Sequence, residues 1–306
     1  MPELPEVETV RKGLNQLTLN QEITGGDVLL DRTIAYPFSV SEFFDGIKKN
    51  AIATWHRRGK YLLAELTPSS PSSPSSPSSP SSPSSPSSPS STNWLGVHLR
   101  MTGQLLWLHR DEPLHKHTRV RLFFEEHREL RFVDQRTFGK MWWVPPGVAV
   151  ESIMTGLAKL AADPFSPEFT VEYLALKLQN RRRPIKTALL DQSVVAGLGN
   201  IYADEALFKS GILSETLCID LQLKEIERLR SAIIQVLETS IEAGGTTFSN
   251  FLNVKGTNGN YGGVAWVYNR AGEPCRVCGT TIQRIRLAGR SSHFCSQCQR
   301  LGGVGS

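Results

Sequence analysis

The first six residues hold a group of side chains that could carry out covalent chemistry. Pro2 follows an initiator Met that is normally trimmed before proline, so its nitrogen would become a free secondary amine. Such an amine can attack an electrophilic carbon and form an iminium ion. An α-amino group titrates at about 7.7–8.0, and the positive end of a helix would lower that pKa. Glu3 and Glu6 could hold or deliver protons within one turn, although their charges oppose the dipole. Taken alone, the hexapeptide is more typical of an ordinary helix start than of a catalytic group.

Four of the five cysteines have a spacing typical of a metal site. Cys275 and Cys278 form one C-x-x-C motif, Cys295 and Cys298 form a second, and 16 residues lie between them. Each pair can clamp a metal from one tight turn, and four thiolates form the closed tetrahedral shell of structural Zn²⁺. A disulfide interpretation needs an oxidising compartment, of which the sequence has no sign. We therefore predict one structural zinc ion and no redox or organic cofactor. Cys218 is more typical of a core thiol than of a nucleophile.

The composition is that of a folded chain without an export signal. Of 306 residues, 40% are hydrophobic and 21% are charged, as in globular proteins. The sequence lacks the apolar run of about 18 residues that a membrane helix needs. Residues 2–12 carry three Glu where a secretory signal would be positively charged. We therefore predict a cytoplasmic protein with no membrane partner.

Positive charge is concentrated on three segments. The net charge is +5, and basic clusters occupy 57–60, 181–186 and 271–306. These clusters could line one phosphate-tracking groove for nucleic acid if the fold brings them together. Solvated surface charge explains any single cluster equally well.

The elements that must position these side chains change in type along the chain. Apolar residues at three- and four-residue steps predict a helix over 3–17. Short β-type runs between 61 and 133 indicate an antiparallel sandwich or barrel. After 147 the pattern becomes helical, and the clearest amphipathic helix, 221–243, ends at two glycines. Residues 68–91 repeat Pro-Ser-Ser eight times, and we expect a solvated, extended loop because they have no apolar side chain to bury.

Six motifs in this order resemble those of the bacterial formamidopyrimidine-DNA glycosylase family. They are PELPEVET at 2–9, RGKYLL at 58–63, HLRMTG at 98–103, DQRTFG at 134–139, GLGNIYA at 197–203, and GR at 289–290 before FC at 294–295. The resemblance extends from Pro2 to Arg300, apart from the Pro-Ser-Ser tract. It implies an α+β fold, with an N-terminal antiparallel β-sandwich and flanking helices. A helix–two-turn–helix domain with a four-cysteine zinc-finger β-hairpin would follow.

The same resemblance implies three units. Residues 1–150 would form the catalytic sandwich domain, interrupted by a disordered insertion at 68–91. Residues 151–271 would form the helical DNA-binding domain, in which 253–263 close over a flipped base. The glycines of that loop fit a segment that becomes ordered only with substrate, although an ordinary linker is an equal alternative. Residues 272–302 would form the zinc finger.

The chemistry implied by the resemblance is removal of oxidised purines, chiefly 8-oxoguanine and formamidopyrimidines, followed by β,δ-elimination. The chain would then be a monomeric DNA glycosylase and apurinic/apyrimidinic lyase of base-excision repair, acting on double-stranded DNA that contains oxidised bases or abasic sites. Pro2 would attack the sugar C1′, Glu3 would supply the proton that opens the ring, and Glu6 would support this geometry. Lys60 and Arg290 would complete the catalytic group. Arg290 would contact phosphates near the lesion, and Lys60 would contact a phosphate or the damaged base.

A damaged base inside a duplex must be flipped out and its vacancy filled. The resemblance assigns DNA contacts to six residues: His98, Met101, Arg136, Phe138, Lys186 and Asn200. Met101 and Phe138 would act as apolar wedges, and Arg136 would bond the orphaned base. Asn200 would offer its amide and helix-start N–H groups to a phosphate. Taken singly, residues of the wedge types are more often found in the core.

Two features depart from the family's pattern. Arg100 stands where some relatives carry Gly, which puts the local phosphate contacts in doubt. The Pro-Ser-Ser tract lies between the strand after Lys60 and the Met101 turn, so it must project away from the groove or it would obstruct DNA.

Two alternatives stay open at this point. The endonuclease VIII type prefers oxidised pyrimidines and usually begins PEGPE, whereas Leu4 replaces that glycine here and favours purines. The second alternative is a non-catalytic protein that binds damaged DNA on the same scaffold. The catalytic carboxyls and Lys60 argue against it, but a retained Met1 would make the nitrogen of Pro2 an inert amide.

Overall fold

The computed structural model describes residues 1–69, 92–246, 252–257 and 259–303. Most of the Pro-Ser-Ser tract, 70–91, lies outside these ranges, so the extended loop expected there stays a prediction. In the part of the chain that is described, no helix combines the length and the apolar character needed to span a bilayer.

The first helix, α1 (Leu4–Leu17), begins at a reciprocal capping box. The side chains of Glu3 and Glu6 satisfy the backbone donors of the first turn, and Pro5 sits where a missing N–H leaves no bond unmade. One face of α1 is fully buried through Leu4, Val7, Val10 and Leu14. The helix predicted over 3–17 is therefore confirmed.

Two sheets form the N-terminal half, as predicted. The first contains β1 (Gly25–Val28), β6 (Gly103–His109), β7 (Thr118–Phe123) and β8 (Arg128–Asp134), in the order β1-β7-β8-β6. The second contains β2 (Ile34–Tyr36), β3 (Asn50–Arg58), β4 (Tyr61–Pro68), β5 (Asn93–His98) and β9 (Lys140–Val144), in the order β2-β9-β5-β4-β3. The pairs are antiparallel except for the parallel pair of β2 with β9. Short helices α2 (Val40–Ile47) and α3 (Val150–Ile153) flank the sandwich.

Side-chain alternation explains the core of the sandwich. In β7, Val120 and Leu122 are buried, whereas Arg121 between them is partly exposed. Val254, far away in the sequence, completes this core with 1% exposure, and its carbonyl accepts a hydrogen bond from the N–H of Trp107 at 3.0 Å. A segment from the C-terminal half therefore packs into the N-terminal core.

Helices form most of the second half, namely α4 (Val171–Leu178), α5 (Ile185–Leu189), α6 (Asn200–Ser210) and α7 (Leu223–Glu242). The helix predicted over 221–243 corresponds to α7, which begins at a capping box of Gln222 and Glu225. Its apolar face packs on α6 in a second core. Leu4 of α1 belongs to this second core. The first turn of the chain is thus held by the helical half.

A two-stranded hairpin follows, with β10 (Gln283–Leu287) paired to β11 (Arg290–Phe294). Gly289 takes a φ of 79° in its tight turn, and Arg290 follows directly. On the inner side, the carboxylate of Asp204 in α6 accepts bonds from the Ser292 hydroxyl at 3.1 Å and the His293 N–H at 2.9 Å. The hairpin is therefore docked against α6, and the predicted α+β class is confirmed.

Candidate active site

A turn before α6 holds the start of the chain. The N–H of Leu4 donates to the carbonyl of Gly197 at 3.0 Å, and Gly197 has a φ of 86°, a region that favours glycine. A Cβ on Gly199 would lie 2.3 Å from the Cδ of Glu3. Gly197 and Gly199 therefore leave room for Leu4 and Glu3 to pack against the start of α6.

Glu3 is enclosed where α1 meets α6. Its side chain is 2% exposed, and its Oε1 accepts a hydrogen bond from the N–H of Ile201 at 3.1 Å. Burial is the main cause that raises its pKa from 4.5 to about 7, against the opposing effect of Lys60. Its Oε2 has no hydrogen-bond partner among the described residues. Glu3 is thus a carboxyl that can carry a proton near neutral pH.

Glu6 links the chain start to the helical half. Its Oε2 accepts from the N–H of Glu3 at 2.8 Å, and its Oε1 accepts from the Tyr202 hydroxyl at 2.5 Å and the Thr246 N–H at 2.9 Å. Burial raises the pKa of Glu6, and the bond from Tyr202 opposes that shift most strongly. These three bonds orient the backbone that follows Pro2, as expected of a supporting residue.

A cavity of about 410 Å³ opens beside Glu3. It is lined by Met1, Glu3, Lys60, Met101, Leu190, Leu198, Gly199, Asn200, Ile201, Tyr268, Gly289, Arg290 and Ser291. The two halves of the protein and the hairpin all contribute to this wall. Five residues predicted for the site therefore converge on one space: Glu3, Lys60, Met101, Asn200 and Arg290. Tyr268 also lines the cavity and was not predicted from the sequence.

The charged groups of the cavity influence one another through burial. Desolvation lowers the pKa of the Lys60 ammonium, the nearby carboxylates Glu3 and Glu6 raise it, and Arg290 lowers it. Desolvation also lowers the pKa of the terminal ammonium at Met1, while Glu3 and Glu6 raise it. The same surroundings would favour a neutral amine at Pro2 once Met1 is trimmed.

Lys186, for which a phosphate contact is predicted, is buried in an ion pair. It is 1% exposed, and its Nζ lies 2.6 Å from Asp204 Oδ1 and 2.5 Å from the Ser291 carbonyl. The ammonium is engaged by these two protein groups, and its contact with a DNA phosphate stays a prediction. Lys186 joins α5 to α6 and to the strand that follows Arg290.

His98 is also buried, and its contact with DNA stays a prediction. Burial is the main cause that lowers its pKa to about 3, assisted by Arg100 and Lys60, so the ring is neutral. Its Nδ1 accepts from the N–H of Arg100 at 3.0 Å. His98 therefore shapes the turn before Met101. Arg100 has a φ of 54°, which explains why glycine suits this position in relatives.

The three predicted wedge residues lie near the cavity and outside the core. Met101 lines the cavity. Arg136 is exposed, and its guanidinium lies 5.1 Å from the ring centre of Phe138, which is itself 51% exposed. The ring of Phe138 therefore faces solvent and is not part of the core, and its insertion into DNA stays a prediction.

The loop predicted to close over a base, 253–263, is described except for residue 258. Val254 is fixed in the sandwich core, and the N–H of Tyr261 donates to the carbonyl of Gly245 at 2.9 Å. Further on, Glu205 accepts from the N–H groups of 266–268 at 2.8–2.9 Å. The described parts of the loop are thus anchored at both ends, and closure over a base stays a prediction.

The four cysteines fit one zinc ion. All four Sγ atoms lie within 4.8 Å of one another. The Sγ of Cys275 lies 3.9 Å from that of Cys298, and the Sγ of Cys278 lies 3.5 Å from that of Cys295. Zinc–sulfur bonds of about 2.3 Å in a tetrahedron place sulfurs about 3.8 Å apart. These residues form one structural zinc site at the base of the hairpin.

Comparison with known families covers most of the chain. Residues 1–141 match the formamidopyrimidine-DNA glycosylase N-terminal domain, and 160–251 match its helix–two-turn–helix domain. Residues 272–301 match the zinc finger found in these glycosylases and in isoleucyl-tRNA synthetases. Fold and site thus define a zinc-containing DNA glycosylase. The chain belongs to the formamidopyrimidine-DNA glycosylase family.

Individual relatives agree over the full length. A formamidopyrimidine-DNA glycosylase of Nostoc punctiforme is 86% identical, covering 99% of this chain and 98% of the relative. One of Trichormus variabilis is 76% identical, covering 98% and 100%. A solved Lactococcus lactis enzyme in complex with Fapy-dG DNA has a TM-score of 0.83 at 30% identity, covering 98% and 100%. The Thermus thermophilus enzyme has a TM-score of 0.81 at 32% identity, again covering 98% and 100%.

Proposed function

We propose that the chain excises oxidised purines from duplex DNA through the nitrogen of Pro2 and then cuts the strand at the abasic site. The observation that carries this proposal is the burial of Glu3 beside the chain start, in a cavity that also contains Lys60 and Arg290. A neutral amine and a protonated carboxyl are both available there near neutral pH. The likeness to glycosylases solved with Fapy-dG and 8-oxo-G DNA supports the choice of purine lesions.

In the first step, the Pro2 nitrogen attacks C1′ as the bond to the damaged base breaks, and the base leaves with the bonding electron pair and takes up the proton that the amine loses. Glu3 gives its proton to the ring oxygen O4′, and the nitrogen lone pair opens the sugar to yield an iminium ion. β-Elimination then removes a proton from C2′ as the C3′–O bond to one phosphate breaks, and δ-elimination removes a proton from C4′ as the C5′–O bond to the other phosphate breaks. Glu6 holds the backbone of Glu3, so it positions both participants.

Lys60 and Arg290 both supply positive charge to the cavity. We assign Arg290 to the phosphates that flank the lesion, because a guanidinium fork matches phosphate oxygens. Lys60 contacts a phosphate or the damaged base. Asn200 adds an amide at the start of α6, where helix N–H groups also favour an anion.

We assign filling of the vacated stack to Met101, Arg136 and Phe138. Their exposure beside the cavity supports insertion into DNA. We also propose that the chain divides into a catalytic unit, 1–150, a helical DNA-binding unit, 151–271, and a zinc finger, 272–302. Residues 253–263 would close over the flipped base. The zinc ion fixes the hairpin that carries Arg290. We propose a monomer that works in the bacterial cytoplasm and lies at the nucleoid when bound to DNA.

Borohydride trapping tests the proposal directly. Wild-type protein without Met1 should become covalently attached to a duplex that contains 8-oxoguanine, because borohydride reduces the iminium to a stable amine. Pro2→Gly should form far less adduct, whereas Glu125→Gln, in an exposed turn, should match the wild type. Mass analysis of the N-terminus verifies the trimming. Trimmed wild-type protein that binds the duplex but forms no adduct would overturn the proposal in favour of a binding-only protein.

A further inference from the structure

The two loops that carry the wedge side chains meet at one buried carboxylate. We call them the wedge loops: residues 99–103, which contain Met101, and residues 134–139, which contain Arg136 and Phe138. β6 pairs with β8 so that Gly103 lies opposite Asp134, and the loops therefore leave neighbouring strands at the same level. Asp134 is 1% exposed and lies between them.

Within its own loop, Asp134 accepts two backbone bonds. Its Oδ1 accepts from the N–H of Arg136 at 3.2 Å, and its Oδ2 accepts from the N–H of Gly139 at 2.7 Å. A Cβ at Gly139 would lie 2.4 Å from the ring of Phe132. Glycine is therefore required at the position whose N–H bonds to Asp134. Between the two bonds, Thr137 has a φ of 60°, which a β-branched residue keeps only when its surroundings hold it there.

Thr102 connects the second loop to the same carboxylate. Its hydroxyl donates to Asp134 Oδ1, and its Oγ1 accepts from the N–H of Arg136 at 2.9 Å. Thr102 directly follows Met101 in the sequence. Its bond from the N–H of Arg136 therefore links the loop of Met101 to the backbone of a second wedge residue. Hydrogen bonds to a charged, buried acceptor are stronger than those between neutral groups.

We propose that Thr102 and Asp134 are positioning residues that fasten the wedge loops into one rigid unit, so that Met101, Arg136 and Phe138 enter the DNA stack together. This inference rests on the proposed function, which assigns the wedge role to those three side chains. Loops that are ordered before insertion lose less conformational freedom on binding. Ordered wedge loops therefore speed the steps that displace a base from a duplex, whereas the chemistry at C1′ does not depend on the order of these loops.

Thr102→Val tests the inference, because valine keeps the shape and removes both hydrogen bonds. We expect excision of 8-oxoguanine from a duplex to slow by about tenfold, the effect of one charge-assisted hydrogen bond. Borohydride trapping on an abasic site within a single strand, which has no paired stack to open, should stay within about twofold of the wild type, as expected for a residue outside the hydrogen-bond network of the reacting groups. Thr102→Ser should restore duplex activity, and Thr239→Val, on the exposed face of α7, should change neither substrate.

Two outcomes would overturn the inference. Unchanged duplex excision by Thr102→Val would show that the loops insert without the link. Equal losses on the duplex and the single strand would show that Thr102 supports the fold or the chemistry instead. Absence of trapping by the wild type on both substrates would contradict the proposed function itself, so the two failures are distinguishable.

Discussion

The Oε1 of Glu3 and the backbone N–H of Ile201 are 3.1 Å apart, although 198 residues separate them in the sequence. This bond fixes the carboxyl beside the chain start at the first turn of a helix in the other half of the protein. The helix start stabilises the ionised form, and burial destabilises it more strongly. The result is a carboxyl whose proton is retained close to neutral pH.

That proton predicts a pH dependence of stability. Unfolding returns the pKa of Glu3 from about 7 to its ordinary 4.5, so folding takes up a proton between these values. The free energy of unfolding should therefore fall as pH rises from 4.5 to 7, by up to about 3 kcal/mol for a shift of about 2.5 pKa units. Glu3→Gln should lose this dependence, whereas Glu125→Gln should keep it. Urea unfolding at several pH values measures it, and parallel wild-type and Glu3→Gln curves would contradict the assignment.

Gly199 should be intolerant of the smallest substitution. Gly199→Ala places a methyl 2.3 Å from the Cδ of Glu3, so the carboxyl must move away from Ile201 and from the cavity. We expect adduct formation to fall at least tenfold, on the order of the loss of one charge-assisted hydrogen bond. Gly25→Ala is the matched control, since its new methyl would lie 3.4 Å from the Lys48 side chain. Full trapping activity in Gly199→Ala would show that Glu3 does not need this position.

Lys186 should matter for stability more than for DNA charge contacts. Lys186→Met leaves Asp204 buried without its cation, which costs about 3–5 kcal/mol when such a pair is broken. Bonds from Ser292 and His293 remain, so the lower end is expected. The slope of log affinity against log salt should stay unchanged, whereas Arg290→Met should reduce it by about 1. A reduced slope for Lys186→Met at unchanged stability would instead support the phosphate contact predicted from the sequence.

The zinc site should support DNA binding through the hairpin. Cys295→Ser removes one of four ligands, so the turn with Arg290 should loosen and affinity for duplex DNA should fall. The cores of both halves lie elsewhere, so thermal stability should change less. Cys218→Ala, at a buried thiol outside the cluster, serves as the control. Equal duplex affinity of Cys295→Ser and wild type would argue against the zinc finger's assigned role.

Local patterns predicted the parts of the site that are local in sequence. Glu3 and Glu6 lie within four residues of Pro2, and the spacing of the cysteine pairs by itself predicts a metal site. The buried partners of α6 could not be found in this way, because Asp204 and Glu205 bond to residues 61–89 positions further along the chain. One signal was available: two adjacent acids lie within a helix whose other neighbours are largely apolar, so both are forced inside and need partners.

His98 and Lys186 are both buried, and their DNA contacts stay predictions. Both residues are of types that commonly contact DNA, and the motif that contains His98 does reach the cavity through Met101. Residue type does not state which way a side chain points. In the structure both point inward, and each supports the residue beside it that faces the cavity or the hairpin.

Deleting 68–91 should leave catalysis nearly intact. The antiparallel pairing of β4 with β5 runs from Tyr61 opposite His98 to Leu66 opposite Asn93, so the tract joins the strands at the end remote from Lys60 and Met101. A short turn can connect these strand ends, because antiparallel neighbours need only about two residues. Replacement by Asn-Gly should keep trapping and duplex excision within about twofold of the wild type, as is usual for changes remote from a site. A large loss at unchanged thermal stability would show that the tract itself contacts DNA.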